Sequence, residues 1–305
     1  MKVILKVLAG SHAYGMNTPE SDEDIRGTFL PEPEHILGLN PGPEQIETKS
    51  PDLVLWEFRK FLKLGMACNP NILDVLFADH ESLIETSGIG IKLRDLAPKF
   101  LSVRAADTFC GYAMAQLKRI ESHRKWLLDP PKKQPTRADF GLKDQRLMSA
   151  DQQGAYQELK EKGQVVDGSL PSNFLELLNK EKAYQQAQRH WDSYCSWKAH
   201  RNPARALLEA KVNFDCKHAA HLIRLLRMGI EIVEEGRVLV KRPDAEELLE
   251  IKTGNWTYED VMEHAESLKS YLNSVRGSSV LPKEPDTEAI NNFCMDTLKQ
   301  CMTSA

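Results

Sequence analysis

The residues with the most chemical content lie close together near the start of the chain. Gly10-Ser11 directly follows an apolar run. A residue without a Cβ lets the backbone approach an anion there, and the Ser hydroxyl and adjacent N–H groups can donate to it, which makes a phosphate seat. Ten residues after this pair comes Asp22-Glu23-Asp24, whose first and third side chains point the same way if the segment is extended. Two adjacent carboxylates repel unless a cation lies between them, and hard oxygen donors beside phosphates suit Mg²⁺. A pair of such ions activates an attacking oxygen and stabilises a leaving pyrophosphate.

The elements that must position these groups are legible from periodicity and breakers. Met1–Ala9 is a β-branched apolar run that reads as a strand, ended by Gly10. Asp24–Leu30 reads as a second strand, stopped by Pro31 and Pro33. After the loop marked by Pro41-Gly42-Pro43, Leu53–Trp56 is a third strand that runs into a helix through Phe58, Phe61, Leu62 and Leu64. From about residue 87 the spacing is helical, near 88–97, 102–128, 151–162, 171–200, 203–230, 243–252, 257–275 and 284–302. Pro130–Pro135 reads as a stiff basic linker, and Gly236–Pro243 as a small hairpin edge. No repeat of solenoid period is visible.

Length and composition narrow the class. A chain of 305 residues with 41% hydrophobic and 28% charged side chains can bury a core, and no apolar run is long enough to span a bilayer. The expectation is a cytoplasmic protein without membrane contact. The six scattered cysteines form no C-x-x-C pair and read as reduced thiols. The net charge of −4 hides a pattern: residues 1–100 hold 10 Lys+Arg against 15 Asp+Glu, and residues 101–150 hold 10 against 5. The basic stretch, which includes His123, Arg124, Lys125, Trp126, Lys132 and Lys133, has the basic and aromatic composition that suits looped or single-stranded RNA.

Gly10-Ser11, the ten-residue interval and Asp22-x-Asp24 resemble the signature of the nucleotidyltransferase superfamily of DNA polymerase beta, with Glu23 where an apolar residue is usual. The fuller pattern, with His12, Tyr14, Thr18-Pro19, Ser21, Arg26 and Gly27, is similar to a bacterial and phage subgroup of predicted nucleotidyltransferases from RNA-repair pathways associated with RNA ligases. The likeness continues through Asp52–Leu62, Asn69–Phe77, Gly111–Gln116 and Asp215–Arg227.

The resemblance implies an α+β fold: a polymerase beta-like nucleotidyltransferase domain, a small mixed sheet with flanking helices, followed by a mostly helical domain. The boundaries expected are a catalytic domain at 1–100, a helix and basic linker at 101–135, and a helical domain at 136–305 closing over the cleft. It also implies a third carboxylate from a neighbouring strand, for which Asp52 is the candidate and Glu57 the rival. Asp22, Asp24 and Asp52 would then be both the catalytic residues and the ligands of two Mg²⁺ ions, with Mn²⁺ as a substitute.

Gly10, Ser11, Tyr14 and Arg26 are the nucleotide-binding candidates near the carboxylates, with His12 beside them. Lys217, His221 and Arg224, at i, i+4 and i+7 of one helix, add a cationic stripe suited to a triphosphate. His218 lies off that stripe and reads as structural, and Gly111, Tyr112 and Gln116 read as helix packing.

The implied reaction is attack of an acceptor hydroxyl on the α-phosphate of an NTP with loss of pyrophosphate. The acceptor would be an RNA end, and the partner an RNA ligase. The alternatives are nucleotidylation of a protein or small molecule, and a catalytically silent nucleotide- or RNA-binding partner of a ligase.

Overall fold

The computed structural model describes residues 2–19, 21–144, 154, 158–162 and 172–303. The architecture is α+β, a mixed sheet in the N-terminal part followed by a mostly helical remainder. Contacts divide the chain into two compact units, Met1–His123 with Val212–Ala305, and Arg124–Lys211. The chain divides at 123/124 and 211/212.

The sheet of the first unit has five strands in the order β3-β4-β2-β1-β5: β1 Lys2–Ala9, β2 Asp24–Leu30, β3 Gln45–Lys49, β4 Asp52–Glu57 and β5 Leu83–Thr86. Only β2 and β4 pair in parallel; the other neighbours are antiparallel. The two edge strands were not anticipated. Their residues are mainly half-buried or exposed and polar, and a strand with little apolar alternation carries a weak sequence signal.

Helices cover the sheet with side chains the periodicity supplies. α1 Gly10–Tyr14 leaves the end of β1, and α2 Pro33–Leu37 follows β2. α3 Phe58–Met66 buries Phe58, Phe61 and Leu62, α4 Pro70–Leu76 buries Ile72, Leu73 and Val75, and α5 Gly88–Asp95 buries Leu93. Each such side chain contributes about 1.5–3 kcal/mol by leaving water. α6 Arg104–Leu128 is the long helix of the basic stretch.

In the second unit, α7 Ser172–His200 and α8 Pro203–Val212 are helical as anticipated. The helix expected at 203–230 is two helices, broken at Asn213, whose φ is 64°. The next helix, α9 Cys216–Glu235, is capped at its N-terminus by Asp215, which accepts from the His218 N–H at 3.0 Å. α9 packs with α10 Ala245–Thr253 and α11 Tyr258–Val275. α12 Thr287–Thr303 returns to α3, where Phe293 meets Phe58 edge-on at 5.9 Å.

The hairpin expected at 236–243 is absent. The segment is irregular, with Val238 and Val240 buried, its Arg242 N–H bonded to the Tyr14 carbonyl at 3.1 Å and the Arg242 guanidinium held by both oxygens of Glu231 at 2.6 Å. Its backbone is committed outside any ladder. The helix expected at 151–162 lies mostly outside the described residues. The described cysteines are free, and among the described residues no helix is long and apolar enough to cross a membrane.

Candidate functional site

The site forms at one end of the sheet, where β1 stops and β2 and β4 start. Ala9 pairs with Asp24 across β1 and β2, and Asp24 pairs with Asp52 across the parallel strands β2 and β4. Gly10 follows at φ 64°, and a Cβ there would stand 2.0 Å from Asp24 Oδ2. Only glycine fits, because the Asp24 carboxylate occupies that space. The backbone proposed to seat a phosphate and the carboxylate proposed to hold a cation are therefore in contact.

Arg26 lies between the two carboxylates. It donates to Asp24 Oδ1 at 3.2 Å and to Asp52 Oδ1 at 3.0 Å, and also to the Asp52 carbonyl at 3.2 Å. Burial raises the pKa of Asp24; Asp52 pushes the same way, while Arg26 and Lys217 oppose. Asp22 is exposed on the loop before β2, two residues ahead of the strand's first residue, Asp24. That loop is folded by Thr18 and Ser21: the Thr18 N–H donates to Ser21 Oγ at 2.8 Å and the Ser21 N–H to the Thr18 carbonyl at 2.9 Å. His12 Nε2 is 3.4 Å from the Ser21 carbonyl, and Ser11 is half-buried.

Of the two candidates for a third carboxylate, Glu57 is committed elsewhere. It is buried, accepts the Lys60 N–H at 3.1 Å as the cap of α3, and pairs with Arg59 at 2.8 Å. Asp52 stands beside Asp24.

The cationic stripe runs from solvent into the core. Lys217 is exposed, His221 half-buried, and Arg224 only 4% exposed. The Arg224 guanidinium stacks 3.9 Å above the Tyr14 ring and donates to Met228 Sδ at 3.1 Å. Tyr14 is itself buried and donates to Asp74 Oδ2 at 2.5 Å, while Asp74 Oδ1 has no hydrogen-bond partner. Burial raises the pKa of both Tyr14 and Asp74, with Arg224 opposing each shift. Burial and the adjacent Arg224 and Lys217 depress His221 well below the usual imidazole value, so the ring is neutral at pH 7.

A second cluster was not foreseen as one. His123 on α6 holds Asp215 Oδ2 at 2.9 Å, and His218 Nε2 lies 3.6 Å from the same oxygen. Gln116 Oε1 accepts from His218 Nδ1 at 2.7 Å, so Gln116 supports this cluster rather than helix packing. Gly111 faces open space, and the Tyr112 hydroxyl accepts from Asn69 Nδ2 at 2.7 Å. Burial pushes Asp215 up, but the His123 hydrogen bond and the His218 side chain and N–H outweigh it and bring it to about 2. Burial takes His218 down to about 4 against the pull of Asp215. Among the described residues, this is the only trio of His, Cys, Asp or Glu whose ligand atoms all lie within 4.8 Å of one another. Asp215 and His218 are three apart on one helix and were open to recognition; His123, on another helix 92 residues earlier, was not.

In the second unit, Trp126 is buried, not presented to solvent, and its Nε1 donates to His190 Nε2 at 2.9 Å. Its ring meets those of Tyr194 and Trp197 at 5.9 and 5.3 Å. Lys125 and Lys132 are exposed, and a hollow of about 420 Å³ is lined by Lys125, Pro131, Lys133, His190 and Trp191 among others.

Residues 1–129 match the sequence model described as the RNA repair pathway DNA polymerase beta family. An uncharacterized 38.9 kDa protein of the nrdC-mobD intergenic region of Enterobacteria phage T4 is 23% identical over 300 residues, covering 88% of each chain. The uncharacterized protein YcgL of Bacillus subtilis is 33% identical over 82 residues, 26% of this chain and 32% of its own. No solved structure matches.

Proposed function

We propose, from the match of residues 1–129 to the RNA repair pathway DNA polymerase beta family, that this chain is a nucleotidyltransferase moving a nucleoside monophosphate from an NTP to a hydroxyl of an RNA end, with release of pyrophosphate. The observation that carries this reading is the junction of Gly10, Asp24 and Asp52, where the absent Cβ of Gly10 makes room for the Asp24 carboxylate and the β2–β4 register puts Asp52 next to it.

Asp22, Asp24 and Asp52 offer only hard carboxylate oxygens, a donor set that fits Mg²⁺, and Mn²⁺ in its place. Bound there, the metal supplies Lewis-acid stabilisation of charge on the phosphates. The chain's own groups do the rest. Gly10 and Ser11 seat the β- and γ-phosphates on backbone N–H groups and a hydroxyl. An oxygen of Asp52 takes the proton of the acceptor hydroxyl as its oxygen bonds the α-phosphorus and pyrophosphate departs. Arg26 bridges Asp24 and Asp52 and holds the two carboxylates adjacent. Lys217 and His221, at the open end of the stripe, meet the triphosphate. Tyr14 and Arg224 act from beneath, as positioning residues that tie α1 to α9 through their stacking and through Asp74. The exposed lysines and Trp191 of residues 124–211 serve RNA contact, and an RNA ligase remains the partner that the repair association suggests.

The test is incubation with Mg²⁺, each α-labelled NTP in turn, and a mixture of tRNA, nicked RNA and total protein. Label in RNA is the expected outcome. Label confined to protein would replace the RNA acceptor by nucleotidylation of a protein. No transfer, or equal transfer by Asp22→Asn/Asp24→Asn, would leave a nucleotide-binding partner without catalysis.

A further inference from the structure

We propose that His123, Asp215 and His218 form a binding site for a first-row transition-metal cation of the zinc type, separate in its ligands from the carboxylates at the sheet end. The proposal stands on geometry and does not depend on nucleotide transfer.

The three groups come from two elements, His123 from α6 and Asp215 and His218 from the start of α9. Their ligand atoms lie within 4.8 Å of one another, with separations of 2.9 Å from Asp215 Oδ2 to His123 and 3.6 Å to His218 Nε2. Donors at about 2.0–2.2 Å from a tetrahedral centre stand roughly 3.4 Å apart, between those two values.

The groups around the trio also orient it for a cation. Gln116 Oε1 accepts from Arg119 Nη1 at 3.5 Å and from His218 Nδ1 at 2.7 Å, which fixes the amide oxygen towards the ring and the ring proton on Nδ1. His218 Nε2 and His123 Nδ1 both face the same Asp215 oxygen, at 3.6 and 2.9 Å. A cation at the centre of these three atoms would engage all of them. The other Asp215 oxygen is occupied by the His218 N–H at 3.0 Å, so the carboxylate is oriented by the helix it caps. A hydrogen-bonded imidazole and an anchored carboxylate are the outer-shell supports that metal sites use. Two nitrogens and one oxygen suit Zn²⁺, Co²⁺ or Ni²⁺ above Mg²⁺, and three protein ligands leave one position for water or a substrate atom. The metal would join α6 to α9.

The test is titration of the chelator-stripped full chain with Co²⁺ in excess Mg²⁺, followed by visible absorption and by metal analysis after dialysis. One equivalent per chain is expected, with tetrahedral d–d bands and no sulfur charge-transfer band, which separates this site from the cysteines. Zn²⁺ displaces the Co²⁺ and raises the melting temperature. His123→Ala/His218→Ala abolishes the bands and the shift, and Gln116→Ala weakens binding roughly 10- to 100-fold. Asp22→Asn/Asp24→Asn leaves uptake unchanged. If the wild-type chain takes up no Co²⁺, or the bands persist in His123→Gln/His218→Gln with its circular dichroism unchanged, the proposal is overturned.

Discussion

Residues 124–211 and the rest of the chain carry opposite net charge. The first set holds 16 Lys+Arg against 11 Asp+Glu, the remainder 24 against 33. In the acidic unit several arginines are bound by carboxylates: Arg26 by Asp24 and Asp52, Arg227 by Asp244 and Glu247, and Arg242 by Glu231 and Asp244. Arginines lie over rings in both, Arg224 at 3.9 Å from Tyr14, Arg201 at 4.7 Å from Trp197 and Arg137 at 5.5 Å from Tyr184, and the last two are also held by Glu209 and Glu181. The acidic unit builds a rigid polar site with a surplus of carboxylate that a cation would neutralise. The basic unit keeps a surplus of positive charge beside aromatic faces, a composition for a polyanion. The near-neutral whole is the sum of an acidic part and a basic part.

If that division is right, damage to one unit should leave the function of the other intact. The largest effect is expected from Asp22→Asn/Asp24→Asn, which should lower label transfer by about 10²–10³-fold or more while RNA affinity in a filter-binding assay stays constant. Gly10→Ala should follow, since the new Cβ displaces the Asp24 carboxylate from a position it needs, and a displacement of about 1 Å costs on the order of 10²-fold in rate. Arg224→Ala removes a buried cation–π contact with Tyr14 and should lower unfolding free energy by about 2 kcal/mol, read from urea denaturation. Its effect on NTP affinity should be smaller than that of Lys217→Ala. In the basic unit, Trp191→Ala should weaken single-stranded RNA binding by about 1–3 kcal/mol, and Lys132→Ala should flatten the salt dependence by about 0.7 in slope, both without loss of NTP binding.

The parts of this account that the sequence made legible are local ones. Gly10, Ser11, Asp22 and Asp24 lie within fifteen residues and stand out by type and spacing, whereas Asp52, at the start of an apolar run, becomes a candidate only through the family resemblance. The structure adds what spacing cannot supply. A helical stripe says that Lys217, His221 and Arg224 share a face, not that the face sinks until Arg224 is buried against Tyr14. The edge strands β3 and β5 lack the alternation that marks a half-buried strand, and Gly236–Pro243 has strand-like residues but spends its backbone and Arg242 on other partners. The break at Asn213 lies within a continuous helical pattern because one residue with positive φ leaves almost no periodic trace. His123 joins Asp215 and His218 only through the tertiary packing of α6 against α9.

The central claim, that Asp22, Asp24 and Asp52 with the Gly10-Ser11 backbone form one site for a metal-bound NTP, is tested most directly by electron paramagnetic resonance of Mn²⁺. The cation is titrated into the full chain with and without an NTP analogue that cannot transfer. The account predicts that Mn²⁺ is bound far more tightly when the analogue is present, and that this enhancement disappears in Asp22→Asn/Asp24→Asn and in Gly10→Ala. Equal enhancement in the wild type and in both variants would contradict it.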